Sequence, residues 1–167
     1  NKKFKFLNKD SFIIDLGSSP GGWSQVVSKE VSNGKILSID IRDMEIITNV
    51  KFIKGDFLKK DIYEKISTFF NRRIDVVLSD MAVNTSGNKN LDSYRTGELC
   101  LEAMNLSIKV LNIHGVFVSK IFMGSVFNEI QSNAKKYFKK IVIFKPDSSK
   151  KASKEIYIYC KGIRKIW

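Results

Sequence analysis

A single histidine, two cysteines and two prolines among 167 residues exclude several kinds of chemistry at the outset. His114, in the turn signal Asn112-Ile113-His114-Gly115, cannot by itself build a zinc site or a Ser-His-Asp triad. Cys100 and Cys160 sit inside apolar patterns without metal-ligand spacing, which reads as two buried thiols in an intracellular reducing compartment. No apolar run approaches the ~20 residues that span a bilayer, so no membrane attachment is expected. Pro20 and Pro146 fall between periodic segments, and no repeat or low-complexity linker divides the chain, so residues 1–167 are expected to form one domain. Asn1 is not an initiator methionine, and any targeting signal is expected to lie outside these residues.

Acidic residues are also in short supply. Seventeen Asp and Glu against 29 Lys and Arg leave a net charge of +12, which implies an anionic partner and, first of all, nucleic acid. Residues 131–167 hold eleven Lys and Arg against Asp147 and Glu155, and so carry nine of those twelve charges. A solvated surface is the plainer reading of a lysine run. Self-repulsion on this scale favours a polyanion, and Lys135, Lys136, Lys139 and Lys140, with the Ser148 to Lys154 loop, are read as the surface that faces it.

What the chain does contain is an alternation of short β-branched runs and longer helical patterns, the mark of a parallel sheet covered on both faces. Strands are predicted at 12–16, 35–40, 51–53, 75–80 and 115–121, and helices at about 22–31, 58–70, 94–111 and 126–138, with a polar loop over 84–92. Two further strands, 141–144 and 156–160, have no helix between them and are expected to pair as a hairpin across Pro146-Asp147-Ser148-Ser149.

In an open parallel sheet the ligand crevice lies beyond the carboxyl ends of the strands, and here those ends are acidic. Strand one runs into Asp15-Leu16-Gly17-Ser18-Ser19-Pro20-Gly21-Gly22-Trp23, whose glycines allow a ligand close to the backbone beside a helix N-terminus. Strand two ends in Asp40, where a carboxylate can accept from ribose hydroxyls, and Asp56 and Asp80 follow strands three and four. A dinucleotide enzyme is the rival reading, but G-S-S-P-G-G is not G-x-G-x-x-G, and Pro20 removes a backbone N–H from the loop that would cradle a pyrophosphate. Four acids on one rim repel phosphates and attract cations, which suits S-adenosylmethionine. Structural alternatives exist for each residue: Gly21 and Gly22 as a tight turn, Trp23 as a core anchor, Asp56 as a helix N-cap. Lys120, the one charged residue in Phe117-Val118-Ser119-Lys120-Ile121-Phe122, is either a snorkelling edge residue or a functional amine at the crevice. Asp80 from the neighbouring strand and Glu155 from the hairpin could reach it.

Asp15 to Gln25, Gly55-Asp56-Phe57, Ser79-Asp80-Met81-Ala82 with Asn84 to Gly87, and Lys145 to Ser149, in this order, closely resemble the FtsJ/RrmJ family of S-adenosylmethionine-dependent ribosomal RNA 2′-O-methyltransferases. The resemblance runs from about Phe6 to Lys161. It implies a Rossmann-like α/β methyltransferase fold, with a mainly parallel seven-stranded sheet ending in an antiparallel hairpin. For the cofactor it implies Gly21, Gly22 and Trp23 at the methionine and sulfonium end, Asp40 at the ribose, Asp56 at the adenine and Asp80 near the reacting methyl. Of the family's catalytic Lys-Asp-Lys-Glu set, the last three map onto Asp80, Lys120 and Glu155, and the first lysine falls a few residues before Asn1. With two carboxylates beside it, Lys120 is expected to orient the 2′-hydroxyl and stabilise the alkoxide, water accepting the proton. The expected substrate is a uridine of large-subunit ribosomal RNA, free or in the large ribosomal subunit, and the protein is expected to act as a monomer. The alternatives are a tRNA anticodon-loop ribose methyltransferase and a non-catalytic RNA-binding ribosome-assembly factor of the same fold.

Overall fold

In the computed structural model the described residues are 4–83, 86–146 and 155–164. Seven strands, β1 (Phe12–Leu16), β2 (Lys35–Asp40), β3 (Val50–Lys54), β4 (Ile74–Ser79), β5 (Leu111–Phe122), β6 (Phe138–Phe144) and β7 (Glu155–Ile163), form one sheet in the order β3-β2-β1-β4-β5-β7-β6. All pairings are parallel except those of β7, which runs antiparallel between β5 and β6. The expected terminal hairpin is therefore present, with its tip outside the described residues.

The strands of this sheet divide their residues between two cores by simple alternation. Ile14, Leu16, Leu37, Ile39, Val77, Phe117, Ile121, Ile158 and Cys160 face three helices, α2 (Lys60–Phe70), α3 (Lys89–Val110) and α4 (Phe127–Tyr137). Ile13, Ile36, Val76, Leu78, Val116, Val118 and Tyr159 face α1 (Gly22–Glu30) and the segment carrying Phe4, Phe6 and Leu7. On that second face Phe4 stacks on Tyr159, ring centroids 4.1 Å apart. Both cysteine thiols are buried and free, and burial pushes Cys100 up to about 12, so neither is a ready nucleophile.

Three boundaries differ from the sequence reading. Helix α3 begins at Lys89, five residues before the predicted start, because the Asn88 side chain accepts from Asn90 N and Leu91 N and caps it. The predicted polar loop is correspondingly shorter, and Asp92 holds Ser86 through its backbone N–H and hydroxyl. The turn signal around His114 is a bulge inside β5: Ile74 pairs with Leu111 and Val76 with Val116, so Asp75 faces four residues, Asn112 to Gly115. Asp75 pins that bulge by accepting from Asn112 Nδ2 at 2.6 Å. Strand β6 starts at Phe138, three residues early, directly after α4.

Candidate active site

Register explains why the acids meet. Asp15 lies beside Ser38 and Leu78, and Ser79 pairs with Ser119, which places Asp80 next to Lys120; Lys120 in turn pairs with Tyr157, two residues from Glu155 along β7. Period-two alternation then puts Asp15, Ser38, Asp40, Asp80, Lys120, Tyr157 and Glu155 on the α1 face, at the carboxyl edge of the parallel strands.

Lys120 is 9% exposed. Its Nζ lies 3.0 Å from Asp80 Oδ1 and 3.9 Å from Glu155 Oε1, so the three residues that the resemblance singled out come together. The Asp80 contact lacks hydrogen-bond angles and is Coulombic, which leaves the ammonium donors free to turn toward another oxygen. Tyr157 joins the group from β7. Burial, then the nearby Asp80 and Glu155 charges, push its hydroxyl up to about 12.

Asp15 is fully buried beneath the carboxyl edge of the sheet. Its Oδ2 accepts from Ser24 Oγ at 2.6 Å, Ser24 Oγ lies 2.7 Å from Ser38 Oγ, and Oδ1 has no partner. Burial, with Asp80 and Asp40 adding repulsion, raises this carboxyl to about 7 despite the Ser24 hydrogen bond. Asp40 is used locally: Oδ2 accepts from Ser19 N at 2.9 Å and Oδ1 from Arg42 N at 2.8 Å, which fastens the loop after β1 to the end of β2. Asp56 accepts from Leu58 N at 3.0 Å in a turn ahead of α2, whose N-cap is Lys59. The N-cap alternative for Asp56 is thereby replaced by an Asx turn three residues upstream.

The glycines divide by role. Gly17 has φ +69° and its missing side chain leaves room for Met81, whose Cγ would stand 2.3 Å from a Cβ there. Gly21, at φ +116°, turns the chain into α1. Gly22 faces open space, since a Cβ would meet nothing within 4 Å. Trp23 is half-buried and leans on Tyr157, ring centroids 5.7 Å apart, so it packs against the site wall as well as bordering the crevice.

A buried carboxylate with one orphaned oxygen, two more acids beside it and open ground over Gly22 fit a cationic ligand such as S-adenosylmethionine. Glu155 also borders a cavity of about 570 Å³, lined besides by Ala82, Val83, Ser93, Phe122 and Met123. A second cavity, about 420 Å³, lies at the opposite edge of the sheet among Phe70, Arg72, Arg73 and Lys109, away from every residue of this site. Among the described residues no cluster of His, Cys, Asp and Glu could hold a metal, and no helix is long and apolar enough to cross a membrane.

The residues that sequence reasoning passed over are Ser24, Ser38 and Tyr157. Ser38 had a readable signal, a hydroxyl inside the apolar run Lys35 to Asp40. Ser24 and Tyr157 had none, because their roles come from a helix and a strand crossing the same face.

A doubly wound sheet with an antiparallel last pair and acids along its carboxyl edge defines a methyltransferase fold. The profile of the FtsJ-like methyltransferase family matches residues 1–163, and the chain belongs to that family. The ribosomal RNA large subunit methyltransferase E of Pelagibacter ubique is 52% identical over 164 residues, covering 98% of this chain and 81% of its own length. The protein of the same name from Rickettsia conorii is 43% identical, covering 95% of this chain and 72% of its own. A Plasmodium falciparum crystal structure described as a ribosomal RNA methyltransferase superposes with TM-score 0.85 at 33% identity, covering 97% of this chain and 91% of that one.

Proposed function

We propose that this chain is a single-domain methyltransferase that moves a methyl group from S-adenosylmethionine to a ribose 2′-hydroxyl, on a uridine of large-subunit ribosomal RNA. The observation that carries the reading is Lys120, buried between Asp80 at 3.0 Å and Glu155 at 3.9 Å where β4 and β5 end and β7 begins. The names of the bacterial relatives support ribosomal RNA as the acceptor.

S-adenosylmethionine, when bound, supplies an electrophilic methyl on a sulfonium. Asp15 and the open ground over Gly22 would hold its cationic end. Asp40 and Asp56 would serve the ribose and the adenine, each turning part of its carboxylate from the backbone N–H groups it now satisfies. The acceptor nucleoside enters from the cavity beside Phe122 and Met123. Lys120 donates to the 2′-oxygen, orients it and stabilises the negative charge that grows as its proton passes to water, while Asp80 and Glu155 keep the amine from wandering. Alignment of this kind supplies roughly 7–11 kcal/mol in favourable cases. An ammonium held between two carboxylates is suited to donation and ill suited to proton abstraction.

The test is transfer of labelled methyl from S-adenosylmethionine into large-subunit ribosomal RNA, offered both as transcript and as assembled subunits, with ribose methylation mapped by nucleotide. A protein-dependent 2′-O-methyl that disappears with Lys120→Ala is expected. Label on a base, label in tRNA alone, or no transfer to either form would overturn the reading.

A further inference from the structure

The lysines of the β6–β7 end do not border the active site. Glu155 opens β7 at the catalytic edge, and Lys161 stands six residues further along the same strand, about 20 Å away at the usual rise per residue. Lys140 pairs with Lys161 across β6 and β7, and alternation puts both on the α1 face, the face that carries Lys120. Lys135, Lys136 and Lys139 precede Lys140 at the same end of the sheet, Arg164 follows Lys161, and all six are exposed.

These charges are not equally easy to explain as structure. Lys135 and Lys136 occupy the last turn of α4, where the helix dipole favours cations. Arg164 is partly occupied, its Nε donating to Phe138 O at 2.8 Å. Lys140 and Lys161 have no such account. Like charges directly opposite on neighbouring strands are destabilising, and among the described residues neither lysine makes an ion pair. A polyanion laid across them would offset that repulsion.

We propose that Lys140 and Lys161 form a phosphate clamp for a second stretch of the RNA, remote from the nucleotide that is methylated. The clamp rests on the ribosomal RNA reading of the active site, and it adds that the bound RNA reaches about 20 Å beyond the reacting nucleotide, the length of six strand residues, passing outside the Phe4 and Phe6 side chains that cover Tyr159. It contributes affinity and register, and touches no reacting atom.

The experiment is filter binding of a large-subunit ribosomal RNA transcript across a salt series, with the full chain, Lys140→Gln/Lys161→Gln and Lys140→Arg/Lys161→Arg. Loss of two phosphate contacts lowers the slope of log K against log salt by about 1.4 to 1.8. The arginine pair keeps the parent slope. In steady-state transfer the glutamine pair raises KM for RNA with kcat retained, and S-adenosylmethionine affinity measured by calorimetry does not move. A slope unchanged in the glutamine pair overturns the clamp, as does a parent that binds no RNA or lysine-dependent sedimentation with phosphatidylserine vesicles alongside an unchanged RNA slope. Methyl transfer by the parent with an unchanged slope sinks the clamp alone; a lowered slope in a protein that transfers no methyl sinks the active-site reading and leaves the clamp standing.

Discussion

The two ends of the α1 face hold charge in opposite ways. At the carboxyl edge of β1, β2, β4 and β5, Asp80 and Glu155 flank one buried lysine while Asp15 and Asp40 stand on the neighbouring strands, and most of these groups are held by named partners at hydrogen-bond or ion-pair distance. About 20 Å away, at the start of β6 and the end of β7, lysines stand exposed and opposite one another. Fixed charge in a low-dielectric crevice suits chemistry, where a misplacement of an ångström is costly. Mobile, hydrated charge suits a phosphate backbone, whose binding is long-ranged, tolerant of geometry and sensitive to salt. One protein thus keeps an acidic cluster at one edge of a strongly basic body.

The sharpest way to break this contrast is at the buried amine. Lys120→Ala is expected to lower the rate of methyl transfer by about 10²–10³-fold, the cost of losing one donor to a developing oxyanion, with S-adenosylmethionine binding by calorimetry retained; loss of both together would mean that Lys120 supports the fold and not the reaction. Lys120→Arg that turns over near the parent rate would rule out proton abstraction by the amine, since a guanidinium cannot serve as a base.

Gly22→Ala probes the open ground directly. The added methyl meets no protein atom within 4 Å, so the melting temperature should stay close to that of the parent, while S-adenosylmethionine affinity should fall several-fold. A destabilised protein, or unchanged affinity, would place the cofactor elsewhere.

Asp15 gives a pH signature. Its folded carboxyl, at about 7, lies above the unfolded 3.8, so the native state binds the extra proton between these values. Stability from this group is therefore largest at acid pH, falls as pH rises through that window and stays low above it. Asp15→Asn keeps an acceptor for Ser24 and removes the titration. Its melting temperature is expected to gain on that of the parent progressively from about pH 4 to 7, while its affinity for the cationic donor drops at pH 8. A difference that is flat with pH would show that Asp15 titrates normally.

The smallest effect belongs to the basic end. Lys140→Gln alone should raise the melting temperature slightly at low salt and not at high salt, because it removes a screened like-charge pair.

Much of this arrangement was legible in the chain. Strong β-branched runs marked the seven strands along the chain, and acids at strand ends marked the rim, because a polar residue at the close of an apolar run has few places to go other than the sheet's edge. Lys120 stood out for the same reason. The start of α3 was not legible: Asn88 reads as loop until its side chain is seen capping two amides. Nor was the bulge at Asn112 to Gly115, where a turn signal is absorbed within a strand because Asp75 anchors it from next door.

By itself the sequence determined which residues face the ligand edge, since alternation and burial are local consequences of side-chain type. Only the tertiary structure decided who meets whom. That Asp80 and Glu155 close on one amine, that Ser24 reaches Asp15 and Ser38 at once, and that two lysines end up opposed far from the chemistry all follow from strand register, a property of pairs of segments many residues apart that no single stretch of chain encodes.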